Sequence, residues 1–329
     1  MKVAFFDRRP ARGNFSVERF FDAVRKNLPK SIEQEVFVPR YVSRGIFTRV
    51  YDIIEAAFHQ ADVNHITGDV HFLSYLMHKN KTILTILDCG FLHHKMSAVS
   101  RAIIKLLWYQ IPARRVAYIT TISESSKDEI LSVIKFDPKK IIVIPVPLVD
   151  GFKYFKKEFN QDQPTILQLG TAANKNLFNL FKALEGIKCQ LVIVGHLDKK
   201  HIEALKKYKI KYKNLINLTD QQVIKQYRDC DIVSFVSTYE GFGMPIIEAN
   251  ATGRAVITSN HAPMNDVANG SAYLVDPFDI SSIRKGFQKI ITDQKYREKL
   301  AKLGLANAKR FDPKTIANQY AQVYRRIAR

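Results

Sequence analysis

Short runs of aliphatic and β-branched residues alternate with longer helical stretches along the whole chain. Several runs are apolar at every position, which is typical of parallel strands covered by helices on both faces. Strands are predicted at residues 2–6, 35–38, 63–66, 82–86, 118–122 and 141–144, then at 165–169, 190–194, 215–218, 232–236 and 255–258. Predicted helices between them include residues 16–27, 125–134, 176–184, 220–228 and 245–251. This alternation predicts an α/β protein with doubly wound sheets.

The two strand–helix series are separated near the middle of the chain. Pro145-Val146-Pro147 and the polar stretch 153–164 interrupt the alternation, as linkers between domains commonly do. A chain of 329 residues is also long enough for two hydrophobic cores. We therefore predict two Rossmann-like domains, with ligands bound at the carboxyl ends of the strands and in the cleft between the domains.

The composition is that of a soluble globular protein, with 46% hydrophobic and 25% charged residues. Cys89, Cys189 and Cys230 lie far apart without metal-ligand spacing, so buried thiols in a reducing compartment are expected. Residues 1–7 form a strand pattern rather than a secretory signal. No apolar run approaches the roughly 18 residues that span a bilayer. These features predict a cytoplasmic protein.

The charge balance is strongly basic. Lysine and arginine number 51 and aspartate and glutamate 31, so the formal net charge is +20. Such an excess favours anionic partners such as lipid surfaces, nucleic acid or phosphorylated substrates. Nucleic acid is not expected as a partner, because the sequence has no zinc-finger spacing, aromatic RNA-binding signature or basic zipper. Solvated helix faces are the alternative explanation of the basic runs.

One segment combines an anion site with two carboxylates. It reads Glu240-Gly241-Phe242-Gly243-Met244-Pro245-Ile246-Ile247-Glu248. Gly241 and Gly243 permit close approach of a ligand, and Pro245 suits the start of a helix whose N–H groups and dipole attract a diphosphate. Glu240 and Glu248 flank this corner, and carboxylates accept hydrogen bonds from sugar and ribose hydroxyls. The segment predicts a nucleotide-sugar pocket; acidic residues favoured by a helix dipole are the alternative.

At this segment the chain resembles the retaining glycosyltransferases of family 4, which have the two-domain GT-B fold and make bacterial surface polysaccharides. The spacing Glu-x7-Glu within Glu-Gly-Phe-Gly-x-Pro is that family's signature, and the similarity is strongest from residue 165 to residue 276. Further matches are Gly170, Asn174-Lys175-Asn176, and residues 191–195, 253–257, 274–277, 121–126 and 144–147. The resemblance implies two facing Rossmann-like domains. Residues 1–150 and a C-terminal helix at 315–329 would form the acceptor side, and residues 151–314 the donor side.

The resemblance also implies roles for individual residues. Lys175 would contact the donor diphosphate and offset charge that develops on the departing nucleotide. Glu240 would hold hydroxyls of the donor sugar, and Glu248 those of the ribose. The implied catalytic residues are Asp88, Lys175 and Glu240. The implied donor-binding residues are Gly13, Gly170, Thr171, Lys175, Asn176, Gly195, Glu240, Gly241, Phe242, Gly243, Met244, Pro245 and Glu248. A surface lysine is the alternative for Lys175, and an ordinary turn glycine for Gly13.

Two positions depart from the family pattern. Thr171 stands where the family often has an arginine, so one diphosphate contact is missing or supplied by another basic residue. Leu87 stands where the family commonly has a histidine that reaches the donor sugar, whereas the adjoining Asp88 matches. The candidate acceptor-side substitutes are His65, His71, His93 and His94. Exposed or capping histidines are the alternative for each of the four.

The resemblance implies transfer with retention of anomeric configuration, from a nucleotide sugar to a glycan or lipid-linked acceptor, in the synthesis of polysaccharide or lipopolysaccharide. No cofactor or metal is expected, because the sequence lacks a strand-end Asp-x-Asp pair that would hold Mg²⁺. Residues 101–116 mix basic with apolar residues and predict peripheral attachment to an anionic membrane surface on the inner face of the cell membrane. A core-packed helix with a charged outer face is the alternative.

Other functions stay open at this point. A homologue that binds a nucleotide sugar without efficient transfer is suggested by Leu87. A nucleotide-dependent oxidoreductase could use the same sheets, although the first strand lacks a following Gly-x-Gly-x-x-Gly. A nucleic-acid-binding protein is supported by charge alone.

Overall fold

The computed structural model describes residues 1–9, 16–42, 45–93 and 96–328. Its internal contacts divide the chain into two compact units. Unit 1 comprises Met1–Val149 together with Asp312–Arg329, and unit 2 comprises Asp150–Phe311. The end of the chain therefore belongs to the same unit as its beginning.

Unit 1 is built on a parallel sheet in the order β2-β1-β3-β4-β5-β6. Because the chain starts at β1, adds β2 on one side and then continues on the other, the strand order reverses between β1 and β3. The strands are β1 (Lys2–Asp7), β2 (Glu33–Phe37), β3 (Val63–Thr67), β4 (Thr82–Thr85), β5 (Tyr118–Thr121) and β6 (Ile141–Val143).

Helices and short 3₁₀ turns connect these strands. The helices are α1 (Ser16–Asn27), α2 (Ile46–Ala57), α3 (Ala98–Ile104), α4 (Ile111–Arg114) and α5 (Glu124–Val133). A π-helical segment, Lys105–Gln110, joins α3 to α4. Ser97 caps α3 and Ser123 caps α5, each accepting a hydrogen bond from the backbone N–H three residues ahead.

Unit 2 is built on a second parallel sheet, in the order β12-β11-β10-β7-β8-β9. This is the strand order of a Rossmann fold, with its reversal between β7 and β10. The strands are β7 (Thr165–Leu169), β8 (Gln190–Val194), β9 (Tyr212–Leu215), β10 (Ile232–Phe235), β11 (Ala255–Ser259) and β12 (Tyr273–Val275).

The helices of unit 2 cover both faces of its sheet. They are α6 (Leu177–Leu184), α7 (Lys199–Lys207), α8 (Asp220–Asp229), α9 (Met244–Thr252), α10 (Met264–Ala268), α11 (Ile280–Thr292) and α12 (Gln294–Ala308). The segment that leads into β7 is tied to β10 by Asp231. Its carboxylate accepts hydrogen bonds from the backbone N–H of Thr165 at 2.8 Å and of Asn160 at 3.2 Å, and it pairs with Lys157.

The last helix, α13 (Pro313–Ile327), returns to unit 1. Tyr324 Oη lies 2.8 Å from His65 Nδ1, and His65 Nε2 lies 2.7 Å from Thr85 Oγ1. All three side chains are buried. Burial lowers the pKa of His65 to about 3, so the ring is neutral at physiological pH and serves as a hydrogen-bonded element of the core. These bonds fix α13 to β3 and β4.

The predicted fold class is confirmed, and the main errors fall on edge strands. The predicted strand at 215–218 is wrong, because β9 ends at Leu215 and Asn217 adopts a left-handed conformation with φ 55°. β9 pairs only with β8 and exposes Lys213 and Asn214, so it lacks the apolar pattern of an interior strand. The edge strand β2 likewise begins two residues before its predicted start.

The described residues contain no helix that is both long and apolar enough to cross a bilayer. Cys89, Cys189 and Cys230 are free thiols and all are buried. Burial raises the pKa of Cys89 and Cys230 to about 12 and that of Cys189 to about 11. The three thiols are therefore protonated and belong to the cores of the two units, as expected.

Candidate functional site

The reversal of strand order in unit 2 brings two loops together. β7 and β10 are neighbouring parallel strands, and the chain leaves β7 towards β8 but leaves β10 towards β11 on the opposite side. A crevice forms where such connections diverge at the carboxyl ends of the strands. The loop after β7 holds Gly170 and Lys175, and the loop after β10 holds Glu240. Residues 65 positions apart in sequence thus meet at one sheet edge.

An ion pair joins these two loops. Lys175 Nζ lies 2.6 Å from Glu240 Oε1, with side-chain exposures of 19% and 15%. Asn174 Nδ2 donates to the same oxygen at 3.1 Å and to the Tyr239 carbonyl at 2.9 Å. The Lys175 ammonium also lies 4.8 Å from the centre of the Phe235 ring. The lysine is therefore a partly buried cation in a fixed position, and the surface-lysine alternative does not describe it.

Backbone contacts hold the two loops in register. Thr238 N–H donates to the Asn174 carbonyl at 2.8 Å. Asn176 adopts a left-handed conformation with φ 60° immediately before α6. Its amide donates to the carbonyls of Val236 at 3.1 Å and Pro277 at 2.6 Å. Asn176, predicted to bind the donor, thus positions the loop that carries Lys175.

The segment from Gly241 to Glu248 forms the turn into α9. Gly243 is the N-cap residue with φ 135°, a conformation that requires glycine. Met244 and Pro245 form the first turn of α9 and are half-buried, and the positive end of the helix dipole faces this corner. The Phe242 ring is buried and packs edge-on against Phe311 at 5.7 Å. The Phe242 ring therefore anchors the loop, and the donor contact implied for this residue stays a prediction.

Glu248 lies in the second turn of α9 and meets a buried tyrosine. Tyr227 of α8 donates its hydroxyl hydrogen to Glu248 Oε2. Burial raises the pKa of Tyr227 well above its ordinary value, and the charge of Glu248 raises it further. The phenol is therefore a permanent donor to this carboxylate.

Glycines line the other side of the corner. Gly170 has φ +81°, and a Cβ there would lie 2.9 Å from Lys175 Cε. Gly195 has φ +138°, and a Cβ there would lie 2.9 Å from Thr171 Cγ2. Both positions require glycine because of their backbone conformation and because a neighbouring side chain occupies the space. Lys175 therefore lies next to Gly170, and Thr171 lies next to Gly195.

The acceptor-side predictions in unit 1 need correction. His65 is fully buried in the core described above, so the prediction that it lines a ligand site is wrong. His71 is also buried; Nδ1 lies 2.8 Å from the Trp108 carbonyl, and its ring packs against Tyr109. Both histidines lie near strand ends, where a ligand contact is expected, but their side chains point into the core.

The other predicted residues of unit 1 stay predictions. Asp88 is half-buried just after β4, and its Oδ1 accepts the Gly90 N–H at 2.9 Å. His93 ends the 3₁₀ turn Gly90–His93. Gly13 and His94 lie outside the described residues. In the described part of the chain, no group of three His, Cys, Asp or Glu residues is arranged to hold a metal ion.

Comparison with known proteins finds a family match in unit 2. Residues 151–306 match the family described as glycosyl transferases group 1, and this match covers nearly the whole of unit 2. The chain is also 25% identical over 184 residues to the serotype-specific mannosyltransferase WbdA of Escherichia coli, covering 55% of this chain and 20% of that protein. The chain thus spans about a fifth of the length of that relative.

A second relative matches more of its length. It is the N-acetylgalactosamine-N,N'-diacetylbacillosaminyl-diphospho-undecaprenol 4-alpha-N-acetylgalactosaminyltransferase of Campylobacter jejuni, 24% identical over 257 residues, with 73% of this chain and 69% of that protein covered. Among solved structures, Anabaena Alr3699/HepE in complex with UDP and glucose has a TM-score of 0.77 at 16% identity, covering 98% of this chain and 99% of that chain. This likeness establishes the GT-B fold for the chain.

Two residues of the site were not among the predicted site residues. Asn174 matches the family pattern, but the contact of its amide with Glu240 depends on how the two loops fold together. Tyr227 lies on α8, 21 residues before Glu248, and is the buried residue of a polar, amphipathic helix. A single large aromatic residue on such a helix is usually a core residue, so the sequence offers no signal for its role.

Proposed function

We propose that this protein transfers a sugar from a nucleotide-sugar donor to a glycan or lipid-linked acceptor, with retention of anomeric configuration. The observation that carries the proposal is the Lys175–Glu240 pair at the strand-order reversal of unit 2, with Glu248 eight residues further along the same turn and helix. A cation and a helix N-terminus can bind the diphosphate of a nucleoside diphosphate sugar, and two carboxylates can bind its sugar and ribose hydroxyls. The match of unit 2 to the family described as glycosyl transferases group 1 supports this function.

Each group has a distinct part in the proposed reaction. An ammonium carries three N–H donors, so Lys175 can bind Glu240 and a phosphate oxygen at the same time. In that position it offsets the charge that develops on the departing diphosphate. Glu240, held through Oε1, accepts from hydroxyls of the donor sugar. Glu248 accepts from the ribose hydroxyls, and the departing diphosphate takes the proton of the acceptor hydroxyl.

The relatives support the choice of acceptor class. The name of the Campylobacter relative includes a sugar-bearing diphospho-undecaprenol, and the other relative is a serotype-specific mannosyltransferase. We therefore propose a role in the synthesis of cell-surface polysaccharide. No metal is needed in this scheme, because the cation and the helix N-terminus supply the positive charge.

Replacing Glu240 tests the proposed transfer. We expect Glu240→Gln to lower the release of nucleoside diphosphate from the accepted donor by about a hundredfold, because one carboxylate oxygen becomes an NH2 donor and the charge-assisted hydrogen bonds to the sugar and to Lys175 are lost. Turnover would be measured with UDP-glucose, UDP-N-acetylglucosamine and GDP-mannose, in the presence of a membrane lipid extract as acceptor. Glu203→Gln, an exposed residue of α7, is the control. If the unmodified protein bound a donor without turnover, this would favour a homologue that binds nucleotide sugars without transferring them. If it bound none of the three donors, the proposal would be refuted.

The anomeric configuration of the product tests retention. We expect the new linkage to keep the α or β configuration of the donor sugar, as measured from the coupling constant of its anomeric proton in an NMR spectrum. A product of opposite configuration would exclude retention and leave the transferase assignment standing.

Replacing Gly170 tests whether Lys175 must hold its observed position. Alanine at residue 170 would strain a left-handed backbone and displace the Lys175 side chain from Glu240. Gly270 is a matched control, because it has φ +79° and the space that a Cβ would take there is open to 4 Å. We expect Gly170→Ala and Gly270→Ala each to lower the free energy of unfolding by about 1–2 kcal/mol. Only Gly170→Ala should weaken the binding of UDP or GDP, by about tenfold.

Urea unfolding and isothermal titration calorimetry would provide these two measurements. Equal nucleotide affinities in the two variants would show that the position of Lys175 does not matter for binding. A large loss of affinity in Gly270→Ala would show that backbone strain alone explains the effect.

Unit 1 has a surface that fits an anionic membrane. Residues 89–123 contain no aspartate or glutamate, and α3 with the following π-helical segment exposes Val99, Ile103, Leu106 and Leu107 beside Arg101 and Lys105. Arg49 of α2 lies over the Trp108 ring, 4.7 Å from its centre, so α2 borders this segment. We propose that this surface binds anionic lipid, as a lipid-linked acceptor would require.

Neutralising two basic residues tests the membrane surface. We expect Arg101→Gln with Lys105→Gln to weaken binding to phosphatidylglycerol vesicles by about thirtyfold, since each basic residue near an anionic surface contributes about 1 kcal/mol. Co-sedimentation at low salt, with phosphatidylcholine vesicles for comparison, measures the effect. The control Lys199→Gln with Lys200→Gln removes the same charge from α7 of unit 2. Equal losses in the two double variants would attribute binding to net charge rather than to this surface.

A further inference from the structure

Tyr227 is the buried residue of α8, a helix whose other positions are largely exposed. Its hydroxyl does not end in the core but reaches α9, where it donates to Glu248 Oε2. Tyr227 is fully buried, whereas Glu248 is half-exposed. One oxygen of the Glu248 carboxylate thus accepts a hydrogen bond from a buried donor, while the Glu248 side chain remains partly exposed next to the loop that carries Glu240.

The tyrosine itself is held from several sides. Its backbone carbonyl accepts a hydrogen bond from Arg254 Nε at 3.0 Å. Its ring packs edge-on against Phe152, with 5.2 Å between the ring centres and an angle of 86°. Arg254 also donates to the carbonyls of Phe155 at 3.0 Å and Arg228 at 2.7 Å. The hydroxyl is therefore fixed relative to both α9 and the segment that leads into β7.

A second feature distinguishes this contact from an ordinary core hydrogen bond. A buried tyrosine needs a single acceptor, and a neutral backbone carbonyl would satisfy it at lower cost than a carboxylate. The partner here is instead the residue proposed to hold the ribose. A carboxylate that accepts from a fixed donor is confined in rotation, so its orientation towards hydroxyl groups is defined.

We infer that Tyr227 is a positioning residue: it orients Glu248 so that the carboxylate binds the ribose hydroxyls of the nucleotide and selects ribonucleotides over deoxyribonucleotides. The inference rests on the proposed function, and it adds that the protein recognises the ribose of the nucleotide. Tyr227 does not touch the nucleotide in this scheme and acts only through Glu248.

The consequence is confined to one part of the ligand. Loss of the Tyr227 hydroxyl would hold the Glu248 carboxylate less firmly in its orientation, and the hydrogen bonds to the ribose would weaken. Contacts of the diphosphate with Lys175 and the α9 N-terminus would be unchanged. The affinity for a nucleotide that lacks ribose hydroxyls would therefore not depend on Tyr227. If Tyr227 had a merely structural role, its loss would change the affinity for all nucleotides alike.

The test compares nucleotides with and without these hydroxyls in the full-length protein. Affinities for UDP, GDP and their 2′,3′-dideoxy forms would be measured by isothermal titration calorimetry for the unmodified protein, Tyr227→Phe, Glu248→Ala and the double variant. We expect Tyr227→Phe to weaken binding of the preferred ribonucleotide by about tenfold and to change binding of its dideoxy form by less than about twofold. The double variant should bind no more weakly than Glu248→Ala alone, because both changes remove one interaction.

Tyr324→Phe is the matched control. Tyr324 is equally buried and also donates or accepts a hydrogen bond, at 2.8 Å from His65, but it belongs to unit 1. Urea unfolding of Tyr227→Phe and Tyr324→Phe shows how much stability each hydroxyl contributes, and only Tyr227→Phe should alter nucleotide affinity.

Two outcomes would overturn the inference, and they are distinguishable from failure of the proposed function. Equal weakening of the ribonucleotide and the dideoxynucleotide by Tyr227→Phe would assign a structural role to the hydroxyl. Unchanged affinity for both would show that Glu248 needs no support. If the unmodified protein bound neither UDP nor GDP, the proposed function would fail together with the inference.

Discussion

The position of the candidate site follows from one constraint, the parallel order of the strands in unit 2. Because β7 and β10 are neighbours but their connections run to opposite sides, no connection covers the carboxyl ends at this point. The two loops that border the gap must close on each other by their own contacts. The Lys175–Glu240 pair, the Asn174 amide and the Thr238 backbone N–H make these contacts. Two of the groups that hold the loops together, Lys175 and Glu240, are also proposed to bind the donor, so the local structure and the proposed chemistry share the Lys175–Glu240 pair.

This double use explains why polar side chains dominate the corner. Lys175 and Glu240 are each more than four-fifths covered, and a partly buried charge is costly unless it is paired. The ion pair offsets that cost, and Glu248 follows the same principle with Tyr227 as its partner. An ammonium has three donors and a carboxylate about four lone-pair directions. Lys175 and Glu240 can therefore support each other and still bind a ligand.

The sequence predicted the interior of the fold better than its edges. Strands such as β7, β8 and β10 are covered on both faces, so their residues are largely apolar and easily located. β9 and β12 lie at the sheet edges; the first exposes two polar residues and the second has only three residues, so neither has a strong pattern. For the site, the motif located Glu240, Glu248 and the helix start, because those features depend on local spacing. The roles of Asn174 and Tyr227 depend on tertiary contacts between distant segments, and single-sequence patterns carry no information about these.

His65 and His71 show that tertiary contacts can also make a predicted ligand contact wrong. Both His65 and His71 follow or end a strand pattern, and strand ends are where ligands bind in such sheets. Side-chain direction alternates along a strand, however, and at His65 it places the ring between β3 and α13, where Tyr324 satisfies it. The family resemblance implied that this helix belongs with residues 1–150, but not that Tyr324, 259 positions after His65, would contact the histidine ring. The position of a residue at a strand end is therefore insufficient to assign a ligand contact without the helix that covers that face.

The strong positive charge and the donor corner act over different distances. Exposed lysines and arginines attract anions over roughly a Debye length, about 8 Å at physiological ionic strength, and added salt weakens that attraction. Lys175 is partly buried and paired, so its contribution depends on contact geometry and is less sensitive to salt. Net charge can bring the protein to an anionic membrane and raise the local concentration of an anionic donor. It cannot distinguish a sugar nucleotide from any other anion, and that distinction has to come from the supported carboxylates Glu240 and Glu248.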